Sequence, residues 1–216
     1  LITGKASENV FEYLTARRSC PLKMMGDDGP SKEELDEILK AASRIPDHGK
    51  LFPWYFVALQ GKEREDAGKL LSDAYKTVEL NASPAKLELE GERFLRAPTV
   101  VFVISRARPG KHPYAEQFLS AGALCYNLCL AANAKGYGTN WLSEWYSTNV
   151  AFKTAFGLDD RDHIAGVIYM GNVLEQPEER PRPDIAHLTT YWKPHIKLSK
   201  GDEYDHEGFE IPPRRL

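Results

Sequence analysis

Apolar positions along the chain follow two rhythms, and the switches between them outline the elements. In residues 7–19, Val10, Phe11 and Leu14 recur at helical spacing behind Ser7, a residue suited to capping the free amides of a first turn. The turn signal GDDGP separates this helix from SKEELDEILKAASR, residues 31–44, where Leu35, Ile38, Leu39 and Ala42 share one face. Ser31 and Glu34 stand at the spacing of a capping box at its start. Pro46 lacks an amide hydrogen and turns Ile45 away from helical angles, so this second helix is predicted to stop just before PDHGK.

The rhythm then changes. PWYFVALQ, residues 53–60, is short, aromatic and branched, and predicts a strand. TVVFVIS, residues 99–105, is an unbroken apolar run and predicts a buried central strand, and IAGVIYMGNV, residues 164–173, predicts another. KEREDAGKLLSDAYKTVEL and KLELEGERFLRA, between the first two, predict amphipathic surface helices. After the loop RARPGKHP, a helix over about 114–135 is apolar on nearly every side; in a chain of this size that predicts burial against a second subunit. Gly136 and Gly138 end it, TNWLS leads onward, and NVAFKTAFGL predicts a short helix. From about residue 175 the chain is rich in proline, charge and aromatics but too poor in aliphatics for a core of its own. Residues 1–216 therefore read as one domain whose tail, 175–216, wraps over something, the dimer being the favoured surface.

Composition narrows the function classes. With 42% hydrophobic and 27% charged residues, the chain is of ordinary globular type rather than disordered or fibrous. A formal charge of −3 and a pI near 6.1 supply no field that draws the protein to nucleic acid or anionic lipid. Three cysteines cannot all pair, and Cys20, Cys125 and Cys129 lack the CxxC spacing of zinc and redox centres, which points to a reducing compartment. Cys125 and Cys129 sit in an apolar run and read as core. No basic leader with an apolar core opens the sequence and no apolar run reaches about 18 residues, so the expected location is cytoplasmic.

Several short stretches carry candidate chemistry. Arg17, Arg18 and Ser19 can hold a phosphate through forked, charge-assisted hydrogen bonds, or the arginines can simply oppose the dipole at a helix C-terminus; Arg44 carries the same two readings. Asp47 and His48 are neighbours in an extended loop and point apart, and no GxSxG elbow exists, so a hydrolase trio with Ser19 is disfavoured. The six histidines form no metal-ligand motif, and no metal is expected. The glycines of NAKGYGTN follow a helix, which suits a C-cap and not a phosphate-binding loop. Trp141 in GTNWLS offers a face on which a flat ring can stack, or else packs in the core.

Taken together, LTARRS, PSKEELDEILKAASRIPDHGKLFPWYFVAL, AANAKGYGTNWLS and GVIYMGNV resemble the FMN-dependent nitroreductase family, in particular its short-chain bacterial branch, over about residues 9–173. The resemblance implies an α+β fold with a mixed central sheet flanked by helices, and a homodimer with one FMN in each of two interfacial sites. By position, Arg17, Arg18 and Ser19 would hold the phosphate and ribityl end, with Arg44, Pro46 and His48 brought in from the neighbouring subunit. Trp141, Leu142 and Ser143 would border the isoalloxazine, and Ala131, Ala132, Asn133, Ala134, Lys135 and Gly136 match the part of the family assigned to the nicotinamide nucleotide. Arg180 or Arg182 stands where relatives place a further basic residue for the phosphate. Tyr55 departs from the histidine common in relatives and would reshape the substrate pocket, and Cys20 would lie near the phosphate as a packed thiol.

The activity implied is ping-pong reduction of nitroaromatic, quinone-like or related electron-poor small molecules by NADH or NADPH, with the flavin carrying the chemistry and no indispensable protein acid or base. Two alternatives from other classes are a flavin-binding carrier or sensor without turnover, and a scaffold whose tail EYDHEGFEIPPRRL docks a partner.

Overall fold

A computed structural model of the chain describes residues 4–199, which divide after Pro177 into two compact units. The first holds helices α1 (Glu8–Ala16), α2 (Lys32–Ala42), α3 (Lys62–Tyr75), α4 (Pro84–Gly91), α5 (Tyr114–Ala134) and α6 (Val150–Ala155). Its strands are β1 (Trp54–Gln60), β2 (Thr99–Arg106), β3 (Gly138–Leu142) and β4 (Asp162–Gly171). The second unit carries one short helix, α7 (Ile185–Leu188). The tail sequence EYDHEGFEIPPRRL lies outside the described residues.

The four strands run in the order β1-β2-β4-β3, and every described pairing is antiparallel. The α+β class holds, but the mixed sheet expected from the resemblance is corrected among the described residues. Two helices, α3 and α4, fill the connection between β1 and β2, where a single crossover helix would return the chain parallel. Strand β2 is central, and its apolar run is buried from Thr99 to Ser105 because both faces are covered. Alternation sends Val100, Phe102 and Ile104 to one face, where they meet Leu71 of α3, Phe94, Tyr146 and Phe152 of α6. Val101 and Val103 face the other way, against Leu35 and Ile38 of α2 and Leu124, Cys125 and Leu128 of α5.

Local signals explain most elements. The box that starts α2 forms as expected: the Glu34 amide donates to Ser31 Oγ at 3.2 Å, and the Ser31 amide donates to Glu34 Oε2 at 3.0 Å. Ser7, by contrast, makes no side-chain cap on α1, and no α1 residue is buried. Phe11 is 64% exposed. The α1 amphipathic stripe therefore has no cover within the described residues, although its spacing was read correctly. The strand β3 was not anticipated: GTNWL has no clean alternation, and it is held by pairing with β4 from Gly138↔Gly171 to Leu142↔Val167. Within α3, Gly68 lies against the carbonyl of Gly91, where an added Cβ would stand 2.1 Å from the oxygen; close approach of α3 and α4 sets that residue.

A buried ion cluster ties the α3–α4 side to the segment after β3. Glu90 is fully buried at the end of α4 and receives Arg93, Lys86 at 2.9 Å and the Trp145 indole N–H at 2.8 Å. Glu144 receives Arg93 Nη1 at 2.7 Å and Arg96 Nη2 at 2.6 Å. Arg96 also donates to the Tyr169 hydroxyl at 3.1 Å, which lies 3.2 Å from that of Tyr146. Burial pushes the Glu90 carboxyl up, but the hydrogen bonds from Arg93, Lys86 and Trp145 outweigh it and hold it at about 2.

Because that carboxyl is ionised far below its ordinary 4.5, its contribution to stability is present at neutral pH and is lost as pH falls from 4.5 toward about 2. Glu90→Gln is expected to cost about 3 kcal/mol at neutral pH by leaving its cations poorly matched. Urea unfolding at several pH values checks this: the midpoint should drop with an unchanged slope, and the variant should lose less stability than the unmodified protein across the acid window.

Candidate functional site

Helix α5 organises the arginine segment, Trp141 and the loop of residues 44–48, because different stripes of its surface meet different segments. Gln117, Ala121, Leu124, Cys125, Leu128 and Ala132 are buried. Leu119, Ala123, Tyr126 and Leu130 follow at helical spacing on another stripe; Leu119 is 71% exposed and Tyr126 is exposed beside it.

On the β3 side of that stripe lies the arginine segment. The chain leaves α1 at Arg17, whose amide bonds the Tyr13 carbonyl, and then runs beside β3, with the Cys20 amide donating to the Thr139 carbonyl at 2.9 Å. Asn140 Nδ2 donates to the Cys20 carbonyl at 2.9 Å, so the outer edge of β3 is covered here. The Arg17 guanidinium stands over the Tyr126 ring at 5.8 Å and within 3.4 Å of Ser19 Oγ, and its charge reaches the Cys129 thiol. Arg17 and Arg18 are half-buried and Ser19 is exposed. Cys20 is buried and burial raises its thiol pKa, as it does for Cys125 and Cys129, so all three are packed thiols rather than nucleophiles.

Trp141 is on the same side. Its indole lies over Gly166 of β4, where an added Cβ would meet Nε1 at 2.2 Å and Cys125 Sγ at 2.9 Å. The missing side chain makes a seat in which the indole lies against the sheet while 41% of the residue stays exposed. Cys125 and Cys129 are one turn apart, about 6 Å along the axis. The structure thus brings the guanidinium of Arg17 and the open face of Trp141 to one flank of α5.

Leu142 behaves differently. Strand alternation turns its side chain to the opposite face, where it packs against the aromatic cluster, so it reaches the Trp141 face only through its backbone. Ser143 is exposed. Tyr55 also lies on that opposite face, its hydroxyl toward Asp162 and its pKa pushed up to about 12, mainly by burial. Within one chain Tyr55 and Trp141 therefore face opposite sides of the sheet.

The loop of residues 44–48 takes the other side of the exposed stripe. Ser120 Oγ donates to the Pro46 carbonyl at 3.0 Å, and Asn127 Nδ2 donates to the carbonyls of Ala42 at 2.9 Å and Arg44 at 3.5 Å. His48 Nδ1 lies 2.5 Å from Glu116 Oε2, and its ring centroid is 4.1 Å from that of His112. Arg44, Pro46 and His48 are exposed. From Glu116 to Tyr126 and Cys129 is about 15–20 Å along α5, so one chain does not bring His48 to Arg17.

Ala131–Gly136 have local tasks. Gly136 takes φ +93°, its amide bonds the Asn133 carbonyl, and the Tyr137 amide bonds the Ala132 carbonyl, which closes α5 in a Schellman motif. Ala131 and Ala132 pack in the core and Ala134 is exposed. Asn133 Nδ2 donates to the Tyr137 carbonyl and Thr139 Oγ1, and Lys135 pairs with Glu37 of α2. Arg180 and Arg182 belong to the second unit, where the Arg182 guanidinium pairs with Glu179 at 2.8 Å.

The sequence reading missed Tyr126, Glu116, Gly166 and Glu144. Glycine in an apolar strand pattern signals a close approach, which flags Gly166; an acid directly after WLS flags Glu144. The partners Tyr126 and Glu116 leave no local signal, because they are chosen by what packs on α5.

Comparison with known proteins bears on this arrangement. A Haemophilus influenzae protein with a provisional NAD(P)H nitroreductase name is 34% identical over 186 residues, covering 85% of this chain and 99% of that one. A nitroreductase-like family protein from Bacillus cereus superposes with a TM-score of 0.76 at 23% identity, over 89% of this chain and 100% of that one. A nitroreductase with bound FMN from Bacteroides fragilis NCTC 9343 does so at 0.64 and 19% identity, over 87% and 100%. The two solved structures establish the likeness of fold. The sequence model of the nitroreductase family matches residues 14–172, a span that holds both flanks of α5, the loop before β1 and the Trp141 seat, and the chain belongs to that family.

Proposed function

We propose that this chain is an FMN-dependent oxidoreductase that uses NADH or NADPH to reduce electron-poor small molecules such as nitroaromatics and quinones. The observation that carries the reading is the pairing, on one flank of α5, of the Arg17 guanidinium and Ser19 hydroxyl with an indole seated over Gly166. The donor set fits a phosphate monoester, since two forked cations and a hydroxyl match its charge and oxygens. The seat fits an aromatic ring, since Trp141 offers an exposed apolar face beside a strand edge.

Held there, FMN would supply two-electron redox chemistry between the nicotinamide nucleotide and the second substrate. The chain's own part is binding and orientation. Arg17, Arg18 and Ser19 grip the phosphate end, Trp141 bounds the ring, and Leu142 and Ser143 offer backbone amides to its polar edge. The groups of Ala131–Gly136 cap α5 and brace α2.

The second half of the site comes from a second copy. The stripe of Leu119, Ala123, Tyr126 and Leu130, exposed at Leu119 and Tyr126 and half-buried at the other two, runs between the arginine segment and the loop of Arg44, Pro46 and His48, so a partner seated on it meets both. The bare apolar stripe of α1 favours the same association, a homodimer. Among the described residues no helix is long and apolar enough to cross a membrane.

Two outcomes are expected. Absorption spectra of the protein with FMN should show flavin bands that NADH or NADPH bleaches anaerobically and that a nitroaromatic or quinone restores over many cycles; a carrier would hold FMN with negligible turnover. Arg17→Ala should weaken FMN binding about 10- to 100-fold, the worth of one charge-assisted pair, read by fluorescence titration, with the spectrum of the bound flavin little changed.

A further inference from the structure

Trp141, Leu142 and Ser143 form the last part of β3 and the step beyond it, and β4 pairing ends at Leu142. The next three residues each carry a side chain fixed to a different element. Glu144 receives both Arg93 and Arg96, the Trp145 indole N–H donates to fully buried Glu90, and the Tyr146 hydroxyl meets that of Tyr169 on β4. Arg93 is shared between Glu90 and Glu144, so the cluster is one connected unit. Three cations, Lys86, Arg93 and Arg96, face two carboxylates, one of them a single residue beyond Ser143.

A short β-strand followed by an exposed serine needs no such anchoring to be stable, since Tyr146 and Phe152 already fill the core below it. We propose that Glu144 is a positioning residue: by completing the Arg93–Arg96 cluster it fixes the backbone of Leu142 and Ser143 beside the Trp141 seat and sets the charge there. The inference rests on the FMN reading for what is being positioned, though the clamp itself does not. Glu144 is only 22% exposed at its side chain, so its charge is weakly screened. Replacing it by glutamine leaves the three cations facing Glu90 alone, which favours added negative charge nearby and hence the reduced flavin.

Hydrogen exchange of the flavin-free protein tests the clamp. Glu144→Gln should speed exchange at least about tenfold in the peptide spanning 141–147 while leaving α2 unchanged, and Glu144→Asp should restore part of the protection. With FMN bound, Glu144→Gln should raise the flavin midpoint potential yet leave FMN affinity within about threefold, because the Arg17 grip is untouched. Unchanged exchange in 141–147, or acceleration spread evenly over residues 4–177, would overturn the positioning role; a potential that stays put or falls would overturn the charge-setting role. Should Glu144→Gln not fold, Trp145→Phe removes the indole bond to Glu90, with part of the ring packing on Tyr75 and Tyr146, and must loosen the same peptide. Failure of the unmodified protein to bind FMN would sink the flavin reading alone, the exchange result still deciding whether Glu144 holds the segment.

Discussion

The 21 residues of α5 bury one face on the sheet and leave another more open, and that division of one helix surface decides where the arginine segment, Trp141 and the loop before β1 go. The buried face, through Leu124, Cys125 and Leu128, holds the helix against Val101, Val103 and Ile168. With the helix so fixed, its two flanks become rails. Tyr126 on one rail takes the Arg17 guanidinium, and Cys125 lies beneath the Trp141 seat. Ser120 and Asn127 on the other hold the backbone of the 42–46 segment, so the loop before β1 is tied down even though Arg44, Pro46 and His48 are exposed.

The protein's contribution to chemistry, on this account, is geometry and charge. The cysteines are packed and their thiols are raised by burial, so no low-pKa nucleophile is on hand. His48 is engaged with Glu116 at the surface and far along α5 from the arginine segment. What the chain offers is a pair of adjacent arginines beside a hydroxyl, an indole seated on the sheet, and a short strand end followed by an ion cluster around buried Glu90. Those are properties suited to holding a reactive group rather than to supplying one.

How much of this was legible in the sequence depends on how local each cause is. The capping box of α2 lies within four residues, and it formed as read. The β2 run announces burial in its own composition. The Ser7 cap failed although its residue type was right, because hydroxyl geometry at an exposed helix start is not dictated by spacing. Strand β3 was illegible because its partners, β4 and the segment at Cys20, are distant in sequence and GTNWL has no alternation to show. Leu142 is grouped with Trp141 by motif, and strand alternation sends its side chain to the other face. The arginine segment and Trp141 were read as one site from a resemblance; their common flank of α5 became visible only once Gly166 and Tyr126 were in place.

The central claim is that a complete site takes its two halves from two copies of the chain. Mixing subunits tests it most directly, by co-assembling Arg17→Ala chains with Arg44→Ala chains and titrating FMN against each parent and the mixture. By two-fold symmetry, each hybrid dimer has one site lacking both arginines and one lacking neither, so the account predicts a class of sites with native affinity that neither parent shows. A mixture that binds FMN only as the weighted sum of its parents would contradict it.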